Sequence, residues 1–121
     1  INLLIGEQPL VKPLIDLPRM LAEAHAMVTD SIRAYIKRDA MLAREVIRRD
    51  DEVDALYLQI FRELLSFMIE DPKTISRAID LIFVARFAER IADQATKIGE
   101  EVVSLGKAEP IRHRPLDDLD E

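Results

Sequence analysis

Hydrophobic residues recur along most of this chain at spacings of three and four, the period of one face of an α-helix. The pattern predicts three helices, over approximately residues 17–37, 40–70 and 73–105. Asp16 and Asp39 are the predicted N-caps of the first two helices. Asp71-Pro72 predicts a tight turn before the third, because the residue preceding a proline avoids the helical region and proline suits a helix start.

Short connections between long helices require neighbouring helices to run in opposite directions. The predicted fold is therefore all-α, an antiparallel up-down-up three-helix bundle over residues 14–107. Residues 1–13 are expected to form the end of a preceding helix and an extended linker, since Pro9 and Pro13 disfavour a helix there. Residues 108–121 are expected to form a flexible acidic tail.

The third helix has a second apolar side, nearly opposite the line of hydrophobic residues that the core needs. Its members are Ala78, Ile82, Ala85, Ala92, Thr96 and Val103. A helix in a lone three-helix bundle is polar on that side. We therefore expect this side to cover something outside the bundle, either a missing half of the protein or a second chain.

Composition excludes several classes of protein. The net charge of −6 argues against a nucleic-acid-binding protein, which normally has a basic face. The chain has no cysteine, so thiol chemistry, disulfides and Cys-ligated zinc are excluded. No apolar run approaches the roughly 18 residues that span a bilayer. The predicted domain is therefore neither inserted into a membrane nor bound to nucleic acid.

Two pairs of acidic residues have the spacing that places both members on one helix face. Asp50 and Asp54 form the pair on the second helix, and Glu89 and Asp93 form the pair on the third. Counting outward from the turn between these helices places Asp50 level with Asp93 and Asp54 level with Glu89. If the two faces meet, the four carboxylates form one compact patch.

Such a patch requires positive charge, because like charges about 5 Å apart repel by roughly 1 kcal/mol even in water. One source is arginine, and four arginines lie beside the acid pairs in sequence: Arg48, Arg49, Arg86 and Arg90. The other source is a bound cation, since clustered carboxylates suit hard metals such as Mg²⁺, Mn²⁺ or iron. A ferritin-type di-iron site is not expected, because Ala22 stands where a Glu-x-x-His motif ending at His25 needs a glutamate.

No catalytic arrangement is recognisable in the sequence. His25 is predicted to be a half-buried helix residue, and His113 lies in the acidic tail. The serines have no His/Asp partner at a recognisable spacing, and no glycine-rich phosphate loop occurs. We therefore predict that the chain is not an enzyme. A metal-dependent phosphate-ester hydrolase is the weakest alternative, since no general base or nucleophile accompanies the acids.

Four runs of residues closely resemble the PhoU family of phosphate-uptake regulators. They are residues 46–57 (VIRRDDEVDALY), 61–65 (FRELL), 70–75 (EDPKTI) and 84–93 (VARFAERIAD). The resemblance covers about residues 9–106. Members of the family carry two similar three-helix bundles in tandem, and this chain resembles the second. The resemblance therefore implies half of a two-bundle protein.

The resemblance also implies a function and partners. It implies a cytoplasmic negative regulator of phosphate uptake and of phosphate-starvation signalling, associated peripherally with inner-membrane proteins. The implied partners are the ATPase subunit of the phosphate ABC transporter, a sensor histidine kinase and a second copy of the protein in a homo-oligomer such as a dimer. The alternative is a purely structural helical interaction or dimerisation module without metal, its acids neutralised by Arg86 and Arg90.

The family's E/D-x-x-x-D motifs bind metal ions, including iron or zinc clusters, and Mg²⁺ or Mn²⁺ also suit such a site. Carried over by position, the motifs fall on Asp50, Asp54, Glu89 and Asp93. Family sequences often have His and Asn after the second motif, where this chain has Gln94 and Lys97. Lys97 adds a positive charge one turn beyond Asp93, which is expected to lower the occupancy or the number of bound metal ions.

Overall fold

A computed structural model describes residues 11–112 as three α-helices and one short 3₁₀ turn. The elements are α1 (Val11–Lys37), α2 (Ala40–Glu70), the 3₁₀ turn (Pro72–Thr74) and α3 (Ile75–Arg112). The described residues contain no strand, and each helix packs against the other two, so the predicted all-α three-helix bundle is confirmed. Contacts of Gly99 with Ala43 and of Glu89 with Asp54 show that α2 and α3 run in opposite directions. The full up-down-up order remains a prediction.

Helix α1 begins at Val11, so the predictions of an extended linker reaching Pro13 and of Asp16 as the N-cap are wrong. Pro13 lies in the first turn, where a missing N–H leaves no helical hydrogen bond unmade. Pro18 lies inside the helix, and Asp16 is buried there at 5% exposure. The buried side chains of Leu17 and Met20 hold this end of α1 against the bundle, so packing outweighs the local signals.

The connections between the helices follow the predicted chemistry closely. Arg38, with φ of 54°, adopts the left-handed conformation that often ends a helix. Asp39 then caps α2, its side chain accepting a hydrogen bond from the Leu42 N–H at 3.0 Å. In the second connection, the Asp71 side chain accepts from the Lys73 N–H at 3.0 Å. The prediction of Asp39 as an N-cap is confirmed.

The boundaries of α3 differ from the predicted 73–105. The 3₁₀ turn occupies the start, so α3 begins at Ile75, and it continues past Gly106 to Arg112. The predicted acidic tail therefore cannot begin at residue 108. Its remaining part, 113–121, and the predicted end of a preceding helix, 1–10, lie outside the described residues.

The core consists of aliphatic residues and alanines from all three helices. On α3, Ala78, Ala85, Ala92 and Thr96 are all buried within this single chain. The expectation that this side of α3 covers something outside the bundle is therefore wrong for these residues. The reason is that α1 and α2 both pack against α3, and small side chains let the backbones approach closely. Gly99 shows the same effect, since a Cβ there would lie 3.1 Å from the Ala43 carbonyl oxygen.

Large apolar side chains are instead exposed in a row at spacings of four on α3, which we call the outer row. Its members are Ile75, Ile79, Phe83 and Phe87, with exposures of 40%, 41%, 64% and 56%. Val84, next to Phe83, is also exposed, at 37%. The outer row therefore gives this face of α3 more exposed apolar surface than a helix face in contact with water normally has.

Candidate metal centre

The structure brings together the two acid pairs that the turn geometry predicted to be level. Glu89 on α3 interacts electrostatically with Asp93 on its own helix and with both Asp50 and Asp54 on α2. Glu89 and Asp54 also share a hydrogen bond. Four acids from two neighbouring antiparallel helices thus form one site, which we call the acidic site.

Glu89 has the most perturbed pKa of the acidic site. Burial raises the pKa of Glu89 to about 8, with further contributions from the hydrogen bond and charge of Asp54 and from the charges of Asp50 and Asp93. Glu89 is therefore protonated at neutral pH in the metal-free protein. The proton explains how two carboxyl groups can hydrogen-bond, because Glu89 then donates to the Asp54 carboxylate.

The other half of the acidic site has its own hydrogen-bond donor. Burial makes the largest contribution to the raised pKa of Asp50, and the negative charges of Asp54 and Asp93 raise it further. A hydrogen bond from Thr96 opposes the shift. The Thr96 hydroxyl oxygen also lies 3.0 Å from the Ala92 carbonyl oxygen, so its single proton is shared between that acceptor and Asp50. The sequence analysis placed Thr96 on an apolar side of α3 and missed this role. The sequence did carry a signal for it, because a residue three positions after Asp93 lies on the same face of the helix.

The Oε2 atom of Glu89 is buried and has no hydrogen-bond partner among residues 11–112. Leaving a buried acceptor unsatisfied typically costs about 1–3 kcal/mol. A cation or a water molecule at this oxygen would remove that cost. The Oε2 atom therefore has an acceptor position that either a cation or a water molecule can fill.

The two arginines that precede and flank the α2 pair do not neutralise the acidic site. Arg48 pairs within its own helix, with Glu45 and Glu52. Arg49 lies against α1, donating to Glu23 and Asp30 at 2.8 Å each. Both guanidinium groups are engaged elsewhere, so their positive charge does not offset the carboxylates in the way the sequence suggested.

The two arginines of α3 lie closer to the acidic site without pairing to it. Arg86 and Arg90 line an open cleft of about 320 Å³ together with Tyr57, Glu89 and Asp93. Over the described part of the chain, neither arginine forms an ion pair. The cation that does pair is Lys97, whose Nζ lies 3.6 Å from Asp93 Oδ2.

The four acids do not already form a coordination shell. Within residues 11–112, no three His, Asp or Glu side chains are grouped closely enough to hold a metal ion. The donors are all oxygens, which suit hard cations, and Mg²⁺ is commonly held by only one or two carboxylates plus water. The residues therefore fit a hydrated hard cation better than a tightly ligated one. His25 is exposed on α1 and is not among the residues that interact with the acidic site.

Together, the fold and the acidic site define an all-α module whose antiparallel helix pair presents two i,i+4 acid pairs in one patch. The family model described as "PhoU domain" matches residues 17–102. The chain belongs to the PhoU domain family.

Several curated relatives are similar over most of the chain. A protein of Aquifex aeolicus is 40% identical over 114 residues, covering 94% of this chain and 52% of its own length. Proteins of Rhizobium meliloti (40% over 101 residues) and Zymomonas mobilis (42% over 109 residues) cover 82% and 88% of this chain, and 43% and 46% of their own lengths. Each is named a phosphate-specific transport system accessory protein PhoU homolog.

The chain thus spans about half the length of the curated relatives it matches. In the part of the chain that the structure describes, no helix is both long enough and apolar enough to cross a membrane.

Proposed function

We propose that this chain is a metal-binding regulatory adaptor that restrains phosphate uptake and phosphate-starvation signalling. The observation that carries the proposal is the acidic site, two level acid pairs on adjacent helices of a PhoU domain. Relatives named as accessory proteins of the phosphate-specific transport system support the link to phosphate transport. No catalytic role is proposed.

Four acids are the proposed metal ligands, namely Asp50, Asp54, Glu89 and Asp93. A bound cation would supply positive charge between α2 and α3, where the acids otherwise repel one another. The carboxylates would then be held in their ionised form, and the two helices would be tied together at that level. Iron or zinc, or else Mg²⁺ or Mn²⁺, is the proposed metal.

The adaptor role is proposed to operate through protein contacts of the outer row. Phe83 and Phe87 expose 64% and 56% of their surface, which is unusual for aromatic residues on a solvated helix. Exposed aromatic and arginine side chains are typical anchors of protein interfaces, and Arg86 and Arg90 lie on the same helix. The proposed partners are the transporter's ATPase subunit and a sensor histidine kinase, on the cytoplasmic side of the inner membrane, with a homo-oligomer as the acting form.

The second candidate function is a purely structural interaction or dimerisation module without metal. Two observations favour it, the Lys97–Asp93 ion pair and the hydrogen bond between Glu89 and Asp54. Both reduce the repulsion between the acids without a metal ion. The two candidates therefore differ in a single measurable property, which is cation binding at the acidic site.

Metal binding is tested with the variant Asp54→Asn/Glu89→Gln. We expect its affinity for Mn²⁺, measured by isothermal titration calorimetry, to fall at least about tenfold, because two proposed ligands lose their charge. The matched control is Glu70→Gln/Asp80→Asn, which removes one exposed acid from each of the same helices. Equal affinity in the two double variants would remove Asp54 and Glu89 as ligands and favour the module without metal.

The docking role is tested with Phe83→Asp. We expect its affinity for the phosphate transporter's ATPase subunit to fall about tenfold, because a charge replaces an apolar anchor. Met41→Asp is the control, since Met41 is 80% exposed and lies in the first turn of α2, far from the outer row. Binding by surface plasmon resonance that is the same for the wild type and both variants would place the interface elsewhere.

A further inference from the structure

The outer row and the arginines beside it define the chemistry of the segment that docks on α3. We infer that this segment is an acidic amphipathic helix, with its apolar side on the two phenylalanines of the row and its carboxylates at Arg86 and Arg90. This inference rests on the proposed adaptor function and deepens it, because it states the class of partner that the row receives. The shape of the row, the unpaired guanidinium groups and the charge of the two flanks support it.

The outer row has the length and direction of a helix-packing ridge. Its members follow one another at spacings of four from Ile75 to Phe87, which corresponds to roughly 18 Å along the helix axis. Side chains at this spacing form the ridges that pack into the grooves of a second helix. Residues 11–112 leave the row uncovered, with exposures from 40% to 64%. A helical segment of about three turns therefore matches the row in size.

Two arginines form a second row beside the phenylalanines. Arg86 follows Phe83 by three residues and Arg90 follows Phe87 by three, so each arginine lies on the helix face next to a ring. Both arginines are exposed, and over the described part of the chain neither forms an ion pair or a side-chain hydrogen bond. A helix that docks on the phenylalanines therefore also covers two unpaired guanidinium groups.

The acids that share a cleft with these arginines are engaged elsewhere. Glu89 shares a hydrogen bond with Asp54, and Asp93 Oδ2 lies 3.6 Å from Lys97 Nζ. The guanidinium groups therefore take their acceptors from outside the described residues. An apolar helix alone would remove water from them and leave the charges unpaired, which is unfavourable. Carboxylates of a docking helix replace that water, and an arginine pairs with a carboxylate through two parallel hydrogen bonds.

The two flanks of the outer row carry opposite charge. Arg86 lies about 60° to one side of Phe83 around the helix, and Asp80 lies about 60° to the other side. The net charge of the chain is −6, so an acidic segment is repelled by the protein as a whole. At physiological salt the screening length is only about 8 Å, so the adjacent arginines outweigh the distant acids. The basic flank therefore determines where an acidic helix binds.

Fluorescence anisotropy with two matched peptides tests the inference. Both are labelled helical peptides of about 15 residues with leucines on one face, and they differ only in having Glu or Lys beside the leucines. We expect the Glu peptide to bind the wild type at least about tenfold more tightly than the Lys peptide. Arg86→Glu/Arg90→Glu should reverse this preference. The control Arg44→Glu/Lys107→Glu changes the net charge equally at exposed positions outside the row, and it should keep the preference.

Three results would overturn the inference. The first is a wild type that binds neither peptide or binds both equally, and the second is a preference that Arg86→Glu/Arg90→Glu leaves unchanged. The third is a wild-type dimer that Phe83→Asp converts to a monomer in analytical ultracentrifugation, which would assign the row to a second copy. Far-UV circular dichroism spectra that match the wild type verify that the variants fold.

Binding to the transporter's ATPase subunit separates the inference from the proposed function. We expect Phe83→Asp and Arg86→Glu/Arg90→Glu each to lower this affinity about tenfold, because both remove anchors of the same interface. A loss in Phe83→Asp alone would overturn the acidic class of the partner and leave the proposed docking role standing.

Discussion

In metal-free protein, Glu89→Gln is expected to raise the free energy of unfolding by about 2 kcal/mol near pH 9 and hardly at all near pH 5. The folded chain holds the proton of Glu89 up to a pKa of about 8, whereas the unfolded chain releases it near 4.5. Between these values the folded state binds more protons, so wild-type stability falls as pH rises and levels off above 8. Glutamine cannot ionise and therefore avoids the loss.

The magnitude is set below the full linkage value because Glu89 is only partly buried, and solvent screens part of the repulsion. Urea unfolding followed by circular dichroism, with a chelator present, gives the free energies at each pH. Glu100→Gln, an exposed acid further along α3, is the control and should show no such pH-dependent gain. If Glu89→Gln and wild type kept the same difference across the whole range, Glu89 would not be the group that holds the proton.

A cation should reverse this pH effect. A bound dication favours the ionised carboxylates, so it lowers the pKa of Glu89 and stabilises the folded state by mass action. The raised pKa of the metal-free site and the proposed metal binding are therefore two consequences of the same crowding of acids. Comparing the free energy of unfolding near pH 9 with and without Mn²⁺ tests whether metal binding offsets the loss of stability caused by ionised Glu89.

Arg49→Met is expected to lower the free energy of unfolding by about 2–3 kcal/mol. The Arg49 side chain is 15% exposed and donates to Glu23 and Asp30 of α1 at 2.8 Å each. Methionine preserves most of the packing volume but leaves Glu23 without this cation and Asp30 with only its more exposed partner Arg33, 3.1 Å away. Because Arg49 ties α2 to α1 rather than to the acidic site, its loss should weaken the bundle without changing cation affinity.

Arg48→Met is the matched control for Arg49→Met. Arg48 is 60% exposed and pairs only within α2, so its replacement is expected to change stability far less than Arg49→Met does. Thermal or urea unfolding of both variants at neutral pH measures the difference. Equal losses in the two variants would show that the Arg49 pairs contribute no more than surface ion pairs.

The sequence predicted the elements whose signals are local. The three-and-four spacing marked the helices, Asp39 marked the start of α2, and Asp71-Pro72 marked the turn. Because that turn is short, simple counting placed Asp54 level with Glu89, and the structure joins them by a hydrogen bond. These predictions succeed because a cap, a turn and a residue height depend on neighbours only a few positions away.

The tertiary structure decided everything that depends on how each helix is rotated and what it meets. Periodicity showed two apolar sides of α3, but only the packing of α1 and α2 showed that Ala92 is buried and Phe83 is exposed. Sequence placed Arg49 next to Asp50, yet adjacent residues of a helix point about 100° apart, and Arg49 contacts α1 instead. Side-chain partners across helices arise from contacts between distant segments, which a local pattern of residues does not encode.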